Sequence, residues 1–225
     1  MMRFFPLFLL LILCACSDDE SKVKLPYIGH YDLEYSTKDG IKLVDTVYQP
    51  ILDFSYLNQD SISVSNATYK NKIWITEFFF ATCPTICPIM NGEMKRLQEM
   101  IQEIDSESRV QFLSFSIDPK KDSPAALKQY KRRYCKDCEN WDFLTGDEAF
   151  THRLGIESFK VFAGREEQAE GGYAHSGAFS LVDPDGFLRG VYNITDFDGI
   201  VNNKESQRLI KDLHLLIENT SVKTN

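Results

Sequence analysis

The sequence predicts an α/β domain with a mostly parallel sheet, preceded by a β-hairpin extension. Two observations carry this. From residue 73 onward, fully apolar, β-branched and aromatic runs alternate with amphipathic helical runs, the pattern of strands buried on both faces with helices between them. The chain then closes with a strand–turn–strand pattern and a last amphipathic helix, which adds antiparallel strands to the parallel set. At 225 residues with 43% hydrophobic and 26% charged content, the chain suits one ordinary folded domain with a full core.

The elements follow in order. "YDLEYSTKDGIKLVDTVYQP" (31–50) alternates around Lys38-Asp39-Gly40 and predicts a hairpin. "DFSYLNQDSISVS" (53–65) predicts a second, shorter one. "IWITEFFFA" (73–81) is the first buried strand. "PTICPIMNGEMKRLQEMIQEI" (84–104) carries Ile89, Met90, Met94, Leu97, Ile101 and Ile104 at helical spacing. "VQFLSFSID" (110–118) is the next buried strand. "SPAALKQYKRRY" (123–134) is a helix with Ser123 as N-cap and Pro124 at its first position. "WDFLTG" (141–146) is a short strand and turn, and "DEAFTHRLG" (147–155) a short helix stopped by Gly155. "GREEQAEGG" (164–172) reads as a mobile loop. "GAFSLVDPDGFLRGVYN" (177–193) is a hairpin turning at Pro184-Asp185-Gly186, and 205–219 is the closing helix. This order, β-α-β-α-β-α then β-β-α, is that of a thioredoxin-like fold with an N-terminal β extension.

The first residues stand apart. One early charge, Arg3, precedes an apolar run from Phe4 to Leu13, too short to span a bilayer and matching a secretory signal. It ends in Leu13-Cys14-Ala15-Cys16, which resembles a bacterial lipoprotein signal with Cys16 as the lipidated residue. Residues 1–15 are therefore expected to be a signal peptide, 16–30 a lipid-anchored polar tether, and 31–220 the folded domain. Export permits disulfides. A formal charge of −8 without a basic patch argues against nucleic acid as a partner.

After Cys16, four cysteines remain, as two close pairs. Cys83 and Cys87 lie in "FFFATCPTICPIM" (78–90), where a buried strand gives way to a helix. With Pro84 at the first helical position, both thiols would sit near the positive end of the helix dipole, which favours thiolate. Side chains at i and i+4 are about 5–6 Å apart at Cβ, more than a relaxed disulfide wants. Pro88 would loosen that turn by removing the hydrogen bond to the Pro84 carbonyl. A labile redox pair, half of a metal site and a structural disulfide all remain open. So short a loop makes the last a poor staple.

A third ligand is needed to complete a metal site. Of the four histidines, His30, His152 and His214 have no company that suggests chemistry. His175 follows the Gly-rich loop and enters the strand at 178, whose start faces the helix N-terminus in a thioredoxin-like fold. Two thiolates and an imidazole are a soft set suited to copper as Cu(I) or Cu(II). Asp118 and Asp122 in "SFSIDPKKDSP" follow the second buried strand at the same carboxyl edge, placed to orient ligands from behind. Cys135 and Cys138 in "YCKDCENW" follow a helix rather than a buried strand. They read as a local disulfide at a helix end, with extra metal binding or electron relay as alternatives.

Taken together, "FFFATCPTICPIM", "SFSIDPKKDSP", "WDFLTG" and "AHSGAFSLVDPDGFLRGVYN" resemble the Sco/SenC family over about residues 50–217. That family consists of membrane-tethered, thioredoxin-like copper proteins that assist assembly of the dinuclear copper centre of cytochrome c oxidase. The resemblance places its Cys-Pro-x-x-Cys-Pro motif on Cys83 and Cys87 and its distant histidine on His175, as copper ligands. It places the family's acidic motif on Asp118 and Asp122. It implies a bacterial envelope protein, anchored by lipid and facing the periplasm, whose partner is the oxidase copper-centre subunit or another copper client. The same resemblance admits a thiol–disulfide oxidoreductase that keeps client cysteines reduced, with Cys83 attacking and Cys87 resolving. A thiol peroxidase on this fold would not require His175. The hairpin at 31–50 does not map onto the resemblance, and the Cys135/Cys138 pair is absent from most of the family.

Overall fold

The computed structural model describes residues 24–105, 107–166, 168, 171–195 and 199–221. The signal segment, Cys16 and the start of the tether lie outside the described residues.

The strand β5 (Ile73–Phe79) is buried along its whole length, and so is β6 (Val110–Ser116), with which it pairs in parallel. β6 pairs in parallel with β7 (Trp141–Thr145). On the other side β10 (Ala178–Val182) lies antiparallel to β5, and β11 (Leu188–Asn193) antiparallel to β10. The predicted 53–65 hairpin, β3 (Ser55–Asn58) with β4 (Ser63–Ser65), extends the β7 edge. The resulting seven-stranded order is β11-β10-β5-β6-β7-β3-β4. Helix α1 (Cys87–Ile104) links β5 to β6, α2 (Pro124–Tyr134) links β6 to β7, α3 (Glu148–Leu154) follows β7, and α4 (Asn203–Ser221) closes the chain.

Alternation along β5 sorts its side chains onto two faces. Phe78 stacks on Phe115 at 5.3 Å and meets Phe159 edge-on at 5.4 Å, while Phe79 packs against Tyr130 of α2 at 5.3 Å and Phe143 at 5.5 Å. Each such aromatic pair adds about 0.5–1.5 kcal/mol beyond its buried area. The expected Ser123 cap is present, its Oγ accepting from the Ala126 N–H at 3.4 Å, and α3 has a cap of its own in Asp147 Oδ1, which accepts from the Phe150 N–H at 2.7 Å. The N-terminal hairpin, β1 (Tyr31–Lys38) and β2 (Ile41–Tyr48), turns through Asp39 and Gly40, both with positive φ, as a two-residue hairpin turn requires.

Three expectations are corrected. Helix α1 begins at Cys87, not Pro84. A helix started at Pro84 would place Pro88 where its missing N–H and its ring both oppose an i→i−4 bond, whereas a start at Cys87 puts Pro88 in the first turn, where no such bond is made. The α-helix ends at Leu154, as expected, but Gly155 keeps a right-handed backbone and the chain does not turn away there. It passes into a π-helical turn, Gly155–Phe159, and ends at Lys160 in a left-handed conformation. Gly155 serves packing instead: a Cβ there would stand 3.3 Å from Phe78, Ala163 and the Val161 carbonyl. The expected loop is shorter than 164–172, because Gly164 and Arg165 belong to β8 (Ala163–Arg165), which pairs with β9 (Tyr173–His175).

One buried ionisable group stands out on β5. Glu77 is fully buried; its Oε1 accepts the Ser114 hydroxyl at 2.7 Å, and its Oε2 has no hydrogen-bond partner. Burial pushes its carboxyl up to about 8, against the Ser114 bond that lowers it. The unfolded chain sheds this proton near pH ~4.3, so between there and pH ~8 the folded state holds a proton that the unfolded state lacks, and stability falls as pH rises through that window by up to about 1.4 kcal/mol per unit. Glu77→Gln keeps the shape and removes the ionisation. Its stability advantage over the parent, read from urea unfolding, should grow from pH ~5 to ~8. A difference independent of pH would refute the raised ionisation.

Candidate metal centre

The carboxyl edge of the sheet is where the sulfur chemistry gathers. β5 ends at Phe79, the chain turns through residues 80–86, and α1 starts on Cys87. Cys83 therefore lies in the turn, and Cys87 is the first residue of the helix. Both thiols are free and buried. From the far side β9 delivers His175. Its Nε2 lies 3.0 Å from the Cys87 Sγ and 4.0 Å from the Cys83 Sγ. Its Nδ1 faces the Ser176 carbonyl at 3.3 Å, so Nε2 is the ring nitrogen turned toward the sulfurs. The three candidate ligand atoms all lie within 4.8 Å of one another, and among the described residues no other trio of His, Cys, Asp or Glu comes together in this way.

The two sulfurs are electrostatically unequal. The hydrogen-bonding Cys87 side chain pulls the Cys83 thiol down to about 3; burial opposes this, and His175 with the backbone N–H groups of Cys87 and Thr85 adds to it. Burial pushes the Cys87 thiol up, and its hydrogen bond and proximity to Cys83 push it further. One thiolate and one thiol share the site.

The scaffold around them is held by residues of both signs of expectation. Asp122 Oδ2 accepts from the Ala81 N–H at 3.1 Å and from the Ser116 hydroxyl at 2.6 Å, so it ties the start of the cysteine turn to β6. Asp118 accepts the Tyr173 hydroxyl at 3.3 Å, fixing β9 two residues before His175. Neither carboxylate contacts the sulfurs or the imidazole; they hold the segments that carry them. Phe80 and Tyr173 pack together and Phe80 meets the His175 ring edge-on at 5.9 Å, an apolar wall that sequence reading did not single out. Gly171, at φ +88°, approaches Phe80 so closely that a Cβ would fall 2.7 Å from its ring.

The other candidates lie elsewhere. His30 and His214 are exposed, and His152 bonds through Nε2 to the Ile117 carbonyl at 3.2 Å. Cys135 and Cys138 are joined as a disulfide just beyond the end of α2.

The asymmetry is directly measurable. In the reduced protein near pH ~6, iodoacetamide should modify Cys83 at least about ten times faster than Cys87, because only the thiolate reacts and only Cys83 is one. Peptide mapping by mass spectrometry identifies the modified residue. Equal rates, or faster modification of Cys87, would reverse the assignment.

Comparison with known proteins agrees with the site. The SCO1/SenC family model matches residues 47–210. The SCO1 protein homolog of Bacillus subtilis is 32% identical over 176 residues, covering 76% of this chain and 90% of its own. The crystal structure of a SCO1/SenC family lipoprotein from Bacillus anthracis superposes with a TM-score of 0.65 at 30% identity, covering 75% of this chain and 95% of its own. BsSco, described as a member of the Sco family of cytochrome c oxidase assembly proteins with a disulfide switch, superposes with a TM-score of 0.63 at 33% identity, covering 74% and 92%. The thioredoxin-like sheet, its free cysteine pair and the histidine delivered across it are thus found in a chain that belongs to the SCO1/SenC family.

Proposed function

We propose that this protein carries one copper ion as cargo, held by Cys83 Sγ, Cys87 Sγ and His175 Nε2, and supplies it during assembly of the dinuclear copper centre of cytochrome c oxidase. The observation that carries the reading is the convergence of these three donors within 4.8 Å at one edge of the sheet. Two sulfurs and an imidazole nitrogen are a soft set that suits copper. The donors fit it further because Nε2 faces the sulfurs and one sulfur already favours its charged form. Uptake needs the second thiol to release its proton to solvent, because His175 Nε2 serves as a ligand itself. The oxidase as destination is supported by what BsSco is described as assembling.

Membrane attachment through a lipidated Cys16, facing the periplasm, completes the reading. It is supported by Ala15-Cys16 after the apolar run and by the lipoprotein description of the B. anthracis relative. No helix among the described residues is long and apolar enough to cross a membrane.

The inequality of the two thiols supports a second activity, reduction of a client disulfide. The Cys83 thiolate attacks one client sulfur and releases the other as a thiolate. Cys87, losing its proton, then attacks the Cys83 sulfur, which frees the client as a dithiol and leaves Cys83–Cys87 oxidised.

Copper titration of the reduced protein separates the two. One equivalent should bind, with a thiolate-to-Cu(II) charge-transfer absorption. His175→Ala should weaken copper binding by at least about 10-fold while leaving reduction of a small disulfide largely intact. Cys87→Ser should abolish both. Unchanged copper affinity in His175→Ala, or tight stoichiometric copper in Cys87→Ser, would remove the residue concerned from the ligand set.

A further inference from the structure

The N-terminal hairpin is a projecting arm. β1 and β2 pair only with each other, and residues 31–46 are all exposed. A lone two-stranded hairpin is marginal in water. Its register sorts the side chains unequally. Tyr31, Leu33, Tyr35, Val44 and Tyr48 share one face, with Tyr35 76% and Val44 57% exposed. Asp32, Glu34 and Asp45 lie on the other, together with Lys38 and the aliphatic Ile41, Leu43 and Val47, so what distinguishes the first face is its tyrosines and its lack of acids. The charged residue of the aromatic face is a cation, Lys42, near the turn.

The position of the arm is equally specific. The chain on either side of it is stitched to the β10–β11 turn: the Ile28 N–H donates to the Leu188 carbonyl at 2.9 Å and the Ile51 N–H to the Gly186 carbonyl at 2.8 Å. β10 starts three residues after His175 and runs away from it, until Val182 pairs with Trp74 near the beginning of β5. The arm and the entry of the chain therefore lie at the pole of the sheet opposite Cys83, Cys87 and His175. The 15 residues from Cys16 to Tyr31 can extend at most about 50 Å.

We propose that the aromatic face of this hairpin rests on the bilayer beside the anchor and holds the domain with its sulfur–histidine edge turned away from the lipid. The inference rests on the lipidated Cys16 of the proposed function. Tyrosine rings favour the headgroup level of a membrane, and Lys42 on the same face would meet anionic phosphates while the acids point to water. The tether keeps the arm near the surface, so modest affinity suffices.

The test uses the full lipidated chain in phosphatidylethanolamine–phosphatidylglycerol vesicles with and without brominated acyl chains. Trp74 and Trp141 are buried, so an introduced tryptophan reports selectively. Tyr35→Trp should lose at least about half its added emission in brominated vesicles, whereas its neighbour Glu34→Trp on the acidic face should lose little. Leu33→Trp, one pair nearer the base, should follow Tyr35→Trp. Absent quenching, or equal quenching at 34 and 35, in chain that co-floats with the vesicles overturns the docked arm and leaves the anchor standing. A shift of Tyr35→Trp emission that needs a second copy of the chain rather than lipid also overturns it. Failure to co-float overturns the anchor and this proposal together.

Discussion

Two buried sulfur atoms this close together resist both being charged. That constraint organises the site. The first negative charge settles on Cys83, in the turn, where backbone N–H groups and the Cys87 thiol can face it. It then raises the cost of a second charge on Cys87, which is buried more deeply at the helix start. A soft cation removes the conflict by neutralising both thiolates, and so does a bond between the sulfurs. Copper binding and disulfide chemistry are two resolutions of one electrostatic strain, and a single site can offer both. His175 is what weights the first: a disulfide needs only the two sulfurs, whereas a metal gains a third donor from the imidazole.

Holding that arrangement requires three chain segments to meet. β5 ends with Phe79 locked between Phe143 and Tyr130, so the cysteine turn departs from a fixed point. Asp122 fastens the Ala81 amide of the turn to Ser116 of β6. β9 arrives from the opposite side, pinned by the Tyr173–Asp118 bond and by the seating of Gly171 on Phe80. The two aspartates thus act on geometry through the backbone. Their order in the chain, one after the end of β6 and one just before α2, lets a single loop serve both the cysteine turn and the histidine strand.

Much of this was legible in the sequence because the signals were local. β5 and β6 are continuous apolar runs, α2 has a serine cap and a leading proline, and Asp39-Gly40 has no use but a tight turn. Cys83, Cys87 and His175 were found by residue type and by the place that a parallel sheet gives its carboxyl edge. What was misread depends on competition between local rules. Pro84 is a good first helical residue, but Pro88 is a stronger veto, so the helix starts later. Gly155 resembles a C-cap, yet its missing Cβ is used against Phe78 and Ala163. The pairing of β8 with β9 spans a polar stretch with no alternation to reveal it. Glu77 sits in an apolar run, and nothing in its neighbours announces that one of its oxygens goes unpaired.

The second cysteine pair tests how self-contained the redox chemistry is. α2 begins just after Asp122, which touches the cysteine turn, and Cys135 follows its other end. Eleven helical residues advance about 16 Å, and thiol–disulfide exchange requires direct contact of sulfur with sulfur. The Cys135–Cys138 bridge therefore stands a helix length away from Cys83 and Cys87, with the buried face of α2 packed on the sheet between them. It cannot resolve or reset them within one chain. If Cys83 and Cys87 are oxidised in reducing a client, the electrons that restore them come from another molecule reaching the same edge of the sheet at which copper would enter and leave. Donor, client and metal then compete for one surface, so the state of the two sulfurs decides which of them can be served.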